Sequence, residues 1–368
     1  MTDFEVMQRV FDLATKGGHN VAPNPLVGCV ITKNGKIIGE GWHKKYGGHH
    51  AEVNAIRDCQ KKFGKNAAKK LLHKSTFFVN LEPCSIEKNT PPCTDKLIEL
   101  RAKKLVCSIK DPNPLINGRG IKKLKQAGID VQLGLMKDEA RKLNKIFIAN
   151  HLYSRPFITI KVAQTLDSKI GLRGAGQLRI TNNKSIKDVH KLRREHDSIM
   201  IGSGTLNEDN PMLSTRLSLS KKISQPIKVI IGNNVNVKSK MGLFKDFSKV
   251  IFASTKEIVI PKDLPKDVMN FKNARQNIVE NLFSYLLDLN CRSILVEGGN
   301  KLFHSFLSKG YYDELIIYTA PKIIGHEGIQ GIDVDVDSFK SKMLTLDAIE
   351  NFENDLKVTY RNKKPNGI

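Results

Sequence analysis

Apolar positions in the first 150 residues fall into two periods. Met7, Val10, Phe11 and Ala14 share one face of a helix that Asp3 stands ready to cap, because spacings of three and four bring side chains together on a helix. LVGCVIT and KIIGEGWH switch to strand patterning around Asn34-Gly35, a pair suited to a tight hairpin turn whose central residues take positive φ. A helix is expected from about His50, with Ala51, Ala55 and Cys59 at helical spacing. STFFVNLEPC then reads as strand, PCTDKLIEL as helix, KLVCSIKDPNP as strand and turn, GRGIKKLKQAG as helix and IDVQLG as strand. DEARKLNKIFIANHLYSRP reads as one helix that breaks at Arg155-Pro156, since a residue before proline is driven out of the helical region.

That break divides the chain into expected domains at 1–151 and 152–368. The second half alternates again: FITIKVAQTLD as strand, NKSIKDVHKLRREHD as helix, then SIMIGSGTL, IKVIIG and KVIFAST as strands. NIVENLFSYLLDL is a helix, SILVEGG a strand, NKLFHSFLSKG a helix and ELIIYTAPKII a strand. Stretches 217–225 and 233–247 read as surface loops. Strands alternating with helices predict an α/β fold, with helices covering both faces of a sheet.

Composition adjusts this picture only slightly. A chain of 368 residues exceeds one ordinary core, in keeping with two domains. The amphipathic, acid-bearing start lacks the apolar core of a signal peptide, and no apolar run nears the length of a membrane span. Six cysteines in a chain of this size argue against a disulfide framework, so a cytoplasmic protein is expected. Cys29, Cys59, Cys107 and Cys291 read as packing residues. The net charge of +23 invites a nucleic-acid reading. Yet the excess is spread over both halves and lacks the interleaved aromatics of a single-strand platform. Such a surface also draws in a small phosphorylated substrate.

Chemistry concentrates in three short strings, His50-Ala51-Glu52, Glu82-Pro83-Cys84 and Pro91-Pro92-Cys93. One imidazole and two thiolates make a ligand set for Zn2+ that leaves a fourth position for water. In zinc deaminases the Glu of H-x-E is not a ligand but moves the proton, which assigns His50, Cys84 and Cys93 to metal and Glu52 to catalysis. In the second half, SILVEGG followed by a helix is a strand–Gly-Gly–helix element, and Ile201–Thr205 (IGSGT) is a second small-residue strand end. Together they suit a dinucleotide cleft, because a helix start favours phosphate. Arg193 and Arg216 can each offer a guanidinium fork to a phosphate, although a solvated helix face and a loop charge are the simpler roles for them.

These residues carry a resemblance over nearly the whole chain. APNPLVGCVI, GEGWH, HAEVNAI, VNLEPC, TPPCTDKLI, DPNP and NGRGIKKLKQAGI in the first half, with RPFITIKVAQTLD, DVHKLR, IGSGTL, DNPML and LVEGGNKLFHSFL in the second, resemble the bifunctional riboflavin-biosynthesis family. In that family a diaminohydroxyphosphoribosylaminopyrimidine deaminase is fused to a 5-amino-6-(5-phosphoribosylamino)uracil reductase. The resemblance implies a cytidine-deaminase-like three-layer domain followed by a dihydrofolate-reductase-like α/β domain that uses NADPH. It implies deaminase substrate contacts at Asn24, His43, Asp111 and Asn113. Cofactor contacts are implied at Ala163, Arg179, Thr205, Asp209, Gly299, Asn300, Lys301, Leu302, Phe303, His304 and Ser305. Reductase substrate contacts are implied at Lys161, Gln177, Arg193, Leu213, Arg216 and Glu297.

The sequence departs from the family pattern in two places. After Cys84 it reads SIEKNTPPC, with Ile86 for a polar ring, Lys88 for a glycine and Asn89 for a cation; Lys88 is expected to reach the substrate phosphate instead. In the reductase half Ser168 replaces a glycine, and Gln177 and Arg179 replace Ser and Trp. The implied partner is a phosphoribosylaminopyrimidine, with no nucleic acid and no membrane, and homo-oligomerisation is left open. A competing class, a tRNA base deaminase with an accessory C-terminal domain, shares the zinc site and the basic charge but would need an RNA-binding second half.

Overall fold

The computed structural model describes residues 1–86, 91–216, 225–246, 248–265, 267–273, 277–333, 344–363 and 365. The chain separates into two compact units, Met1–Leu152 and Tyr153–Ile368. The expectation for Lys88 and Asn89, and most of the expected loop 217–225, lie outside the described residues.

In the first unit, α1 (Asp3–Thr15) leads to the hairpin β1 (Gly28–Lys33) and β2 (Lys36–Trp42). Asn34 and Gly35 take φ of 50° and 72° at the turn, as the Asn-Gly pair predicts. The helix cap is Thr2 rather than Asp3: Thr2 Oγ1 accepts from Glu5 N while Thr2 N donates to Glu5, a reciprocal capping box. Then follow α2 (Ala51–Phe63), α3 (Lys65–Leu72), β3 (Thr76–Leu81), α4 (Cys93–Glu99), β4 (Lys104–Ile109), α5 (Arg119–Gln126) and β5 (Asp130–Leu133). The sheet order is β2-β1-β3-β4-β5, antiparallel across β2-β1-β3 and parallel across β3-β4-β5. Alternate residues feed opposite layers. Cys29, Ile31, Phe77, Val79, Leu105 and Cys107 meet Ala55, Ile56, Leu72 and Leu97 on one face; Val30, Phe78 and Val106 meet Met7, Val10 and Phe11 on the other. Three layers result.

The helix expected over 138–154 is two helices, α6 (Lys137–Leu143) and α7 (Lys145–Tyr153). Asn144 lies between them, buried. Its Oδ1 accepts from Leu26 N at 2.8 Å and its Nδ2 donates to Leu26 O at 3.0 Å, and the helix breaks where this side chain is pinned, at φ −108° and ψ 25°. Asn80 in β3 completes the clamp, donating to Leu26 O at 2.8 Å and accepting from Gly28 N at 2.9 Å.

The second unit is built on a nine-stranded sheet, ordered β11-β10-β9-β8-β12-β6-β13-β16-β15. Its strands are β6 (Phe157–Thr165), β8 (Ser198–Gly202), β9 (Ile227–Ile231), β10 (Val250–Ser254), β11 (Val268–Lys272), β12 (Ser293–Gly298), β13 (Glu314–Ala320), β15 (Leu344–Phe352) and β16 (Asp355–Asn362). All neighbours run parallel except the antiparallel β13-β16-β15 edge. A small ribbon pairs β7 (Lys169–Leu172) with β14 (Gly328–Gln330). Helices α10 (Ile278–Asp288) and α11 (Asn300–Lys309) cover one face through Leu282, Phe283, Phe303 and Phe306. The central strands are apolar on the face toward these helices, whereas Thr159, Lys161 and Glu297 interrupt the other face.

Two expectations change in this unit. SIMIGSGTL is strand only to Gly202, and Ser203–Asp209 form α9. Its one buried residue, Leu206, packs beneath β8 and β9. The 233–247 segment is no simple surface loop: Val237, Met241 and Leu243 are buried in the same cluster, around a 3-10 turn at Gly242–Phe244. DVHKLR falls within α8 (Asn183–Glu195), as expected.

Replacing Asn80 by Leu leaves the Gly28 N–H without its buried acceptor, which should cost about 1–3 kcal/mol. Chemical denaturation should show the first unit unfolding at lower denaturant, with the second unit unchanged.

Candidate functional site

Three separate segments bring one imidazole and two thiols together. β3 carries the chain through Leu81 to Cys84, Pro92 caps α4 so that Cys93 is its first residue, and His50 is the N-cap of α2. Helix α2 lies hard against β2 because Gly39 and Gly41 have no side chain there: a Cβ on Gly41 would come within 2.3 Å of Ala55 N. His50 Nδ1 is 3.4 Å from Cys84 Sγ and 3.3 Å from Cys93 Sγ, and all three donor atoms fall within 4.8 Å of one another. Cys93 N–H donates to Cys84 Sγ at 3.3 Å. The hydrogen bond from Cys93 holds the Cys84 thiol down at about 4, while the same bond and burial push Cys93 up. A compact donor set of two sulfurs and one nitrogen suits zinc and leaves a tetrahedral position for a further ligand.

Glu52 follows in the first turn of α2, buried at 3% exposure. Burial raises its carboxyl, with His50 partly offsetting the effect. His43 is buried and its ring sits edge-on to His50 with centroids 5.7 Å apart. His43 Nδ1 lies 3.1 Å from His49 O and its Nε2 3.1 Å from Asn24 Nδ2. A ring that donates from Nδ1 and accepts at Nε2 satisfies both contacts, which fits the lowering of its pKa by burial. Asn24 and His43 are thus joined, and His43 meets the metal cluster. Asp111 is buried, and its Oδ1 accepts from Asn113 N at 2.8 Å; burial raises its carboxyl. Ser85 Oγ and Thr94 Oγ1, each one residue beyond a cysteine, are buried with no hydrogen-bond partner among the described residues. Sequence reasoning gave Glu82 no role. It is buried and accepts from Asp111 N, Gly118 N and Ile121 N. Its place beside Pro83-Cys84 was the available signal.

In the second unit the expected substrate residues Lys161, Arg193 and Glu297 converge. Arg193 Nε and Nη2 reach the two Glu297 oxygens at 2.6 and 2.7 Å, and Nη1 donates to Ser214 O at 3.0 Å. Lys161 Nζ stands 3.7 Å from Glu297. Burial alone would raise the Glu297 carboxyl, but Arg193 and Lys161 outweigh it and hold it at about 2. Burial lowers Lys161. Arg193 is therefore no solvated helix-face charge. It is half-buried in an ion pair that occupies most of its donor fork, because α8 turns this face onto β12. Arg216 has an exposed side chain, and its N–H donates to His190 Nδ1 at 3.3 Å. Leu213 is buried at φ +49° in the cluster that includes Ile201 and Ile230.

Of the expected cofactor residues, Thr205 and the Gly299–Ser305 run meet at the β12–α11 turn. Gly299 adopts φ +87° as the N-cap of α11, which has no side-chain cap. Thr205 packs on this turn, its Oγ1 3.0 Å from where a Gly299 Cβ would stand. Uncapped N–H groups beside a Gly-Gly turn fit a pyrophosphate-bearing cofactor. Asn300, Lys301, His304 and Ser305 follow in α11, with His304 Nδ1 2.7 Å from Asp333 O. Leu302 and Phe303 instead point into the core, and their N–H groups both donate to Gly299 O at 3.0 Å. Ala163 is half-buried on β6, and Asp209, at the end of α9, has its carboxyl raised by burial. Gln177 and Arg179 are exposed, and Arg179 bonds the Asn183 side chain. Ser168, where the family pattern has glycine, takes φ +62°, a left-handed conformation that explains the glycine preference.

Two outcomes follow from this geometry. Elemental analysis of Cys84→Ser should show most of the zinc lost relative to one per chain; full retention there and in His50→Ala would exclude this ligand set. Glu297 has a folded pKa near 2 against an ordinary 4.5, so the stability it contributes is present above about pH 4.5 and is lost as pH falls toward 2. In urea titrations between neutral pH and about pH 3, Glu297→Gln should weaken the second unit at neutral pH and flatten its decline with acid.

Residues 1–109 match the cytidine and deoxycytidylate deaminase zinc-binding region, and residues 156–358 match the RibD C-terminal domain. The chain is 35% identical to riboflavin biosynthesis protein RibD of Aquifex aeolicus, covering 98% of both chains. It is 37% identical to the Actinobacillus pleuropneumoniae protein of that name, over 90% of both. Among solved structures it is similar to a diaminohydroxyphosphoribosylaminopyrimidine deaminase/5-amino-6-(5-phosphoribosylamino)uracil reductase from Thermotoga maritima, at 33% identity, TM-score 0.81 and 98% coverage of each chain. A reductase-type second half removes the tRNA-deaminase alternative. With the deaminase and reductase halves both matched in order, the chain belongs to the RibD family, the bifunctional zinc-dependent deaminases and NADPH-dependent reductases of riboflavin biosynthesis.

Proposed function

We propose that residues 1–151 deaminate 2,5-diamino-6-(5-phosphoribosylamino)pyrimidin-4-one hydrolytically, and that residues 152–368 reduce the ribosyl group of the product to ribityl. The observation that carries the first step is the convergence of His50, Cys84 and Cys93 with the buried Glu52. These three residues would hold a zinc ion, which would supply Lewis-acid activation of water near neutral pH. Glu52, with its carboxyl raised by burial, takes the water proton and delivers it to the leaving amine. Asn24 and His43 form one hydrogen-bonded wall and Asp111 with Asn113 another, and these walls orient the pyrimidine.

The second step rests on the Gly298-Gly299 turn and the Glu297 cluster. NADPH supplies the hydride. Gly299, Asn300, Lys301, His304 and Ser305 would hold its phosphates with Leu302 and Phe303 anchoring the helix behind them, and Ala163, Thr205, Asp209 and Arg179 would contact the rest of it. Lys161, Glu297, Gln177, Arg216 and the Leu213 backbone contact the phosphoribosyl substrate. Arg193 acts by holding the Glu297 carboxylate in place, since its own fork is largely spent on that pair. Among the described residues no helix is long and apolar enough to cross a membrane, and the proposal places the enzyme in the cytoplasm, acting on small phosphorylated compounds rather than on nucleic acid.

Adding the diaminopyrimidine substrate to the full chain should release ammonia without NADPH, and NADPH oxidation should follow only after deamination. Glu52→Gln should keep its zinc yet lose ammonia release by about 100- to 10,000-fold. Its NADPH oxidation on the pre-formed aminouracil should stay normal. Ammonia release at the wild-type rate in that variant would remove Glu52 from the chemistry.

A further inference from the structure

Helix α5 begins at Gly118, which adopts φ +80° and has no side chain with which to cap the helix. The cap comes from another element. Glu82, just beyond β3, places Oε2 2.8 Å from Gly118 N and Oε1 3.1 Å from Ile121 N. Those are the N-cap and third positions of the helix, so one carboxylate serves both ends of its first turn. Oε2 also accepts from Asp111 N at 3.1 Å. Gly120 has to be glycine for this arrangement, since its Cβ would stand 2.4 Å from Pro83 O and 3.2 Å from Glu82 Oε1.

The carboxylate is only 3% exposed. Among its contacts in the described residues are three backbone N–H groups, and no salt bridge to Glu82 is found there. Burying an ionised carboxylate is costly unless it is fully hydrogen-bonded. Three N–H donors at a helix start, where the helix dipole is positive, meet that cost. The fold thus anchors the 111–121 segment on one side chain, two residues before Cys84. That segment carries Asp111, whose Oδ1 accepts from Asn113 N, and Asn113, whose Oδ1 accepts from Leu115 N. Loss of the Glu82 bonds would free all three links at once.

We propose that Glu82 is a positioning residue for deamination: it caps α5 from a distance and thereby fixes Asp111 and Asn113 against the substrate, without touching the metal or the reacting atoms. The proposal rests on the deaminase reading of the first unit. It separates two duties of the Glu82-Pro83-Cys84 string, in which Cys84 serves the metal and Glu82 serves the substrate loop.

The test uses the full chain with Glu82→Gln, which keeps the shape and one acceptor oxygen but loses the charge. Zinc content should stay at the wild-type level. The KM for ammonia release should rise about tenfold or more, as loss of a charge-assisted bond predicts, while kcat stays within about threefold of wild type. NADPH oxidation on the pre-formed aminouracil should be unchanged. An unchanged KM overturns the proposal, and so does loss of zinc, which would make Glu82 a support for Cys84. A parallel fall of kcat and thermal stability with KM unaltered would assign it a purely structural role and overturn it as well. Amide exchange in the wild-type chain is a second measurement that requires no folded variant. The Gly118 and Ile121 N–H groups should exchange much more slowly than the exposed Leu115 N–H, and equal rates overturn the capping geometry. If the wild-type chain releases no ammonia, the deaminase reading itself fails, an outcome distinct from an active enzyme indifferent to Glu82.

Discussion

The cost of burying a carboxylate governs both halves of this protein. Each functional region is built around an acid that the core would reject if it stood alone. Glu82 is met by three backbone N–H groups, and Glu297 by the guanidinium of Arg193 with Lys161 beside it. The two solutions have different consequences. Backbone donors tie Glu82 to the course of the chain, so the loop and helix it touches become one rigid piece. Side-chain donors tie Glu297 to charges, so three ionisable groups become a single electrostatic unit whose members cannot be removed one at a time without leaving another unpaired.

Glu52 is the informative contrast. It too is buried, but beside two thiols and an imidazole, and burial raises its carboxyl by more than His50 lowers it. A group meant to exchange a proton is best left without a strong permanent partner, whereas a group meant to hold geometry is saturated with them. The same division appears around the cysteines. Cys84 and Cys93 face each other at the meeting of a strand end and a helix start, while Cys29, Cys59, Cys107 and Cys291 are buried in apolar clusters and join no ligand group among the described residues.

Close backbone approach is the other shared device. Gly39 and Gly41 let α2 settle onto β2, which sets where His50 and Glu52 project. Gly298 and Gly299 let Thr205 close on the β12–α11 turn. In both places the absent side chain fixes the position of a functional residue several positions away.

Much of this was legible in the sequence, because periodicity and ligand chemistry are local. The Asn34-Gly35 hairpin, the helix starts at His50 and Cys93, and the H-x-E and Pro-Cys strings follow from residue type and spacing, and the structure carries them as expected. Tertiary structure decided what depends on partners distant along the chain. Asn144 splits a helix because Leu26 offers its backbone. Leu206 and Leu243 turn apparent strand and loop into packed elements because β8 and β9 need cover. Arg193 changes from a surface charge to a half-buried clamp because Glu297 lies across from it, and Glu82 acquires a purpose only when α5 arrives uncapped. A pattern along the chain reports the faces that each element presents. Which buried donor meets which buried acceptor is settled only when the faces are brought together, since that is where an unpaired polar group exacts its cost.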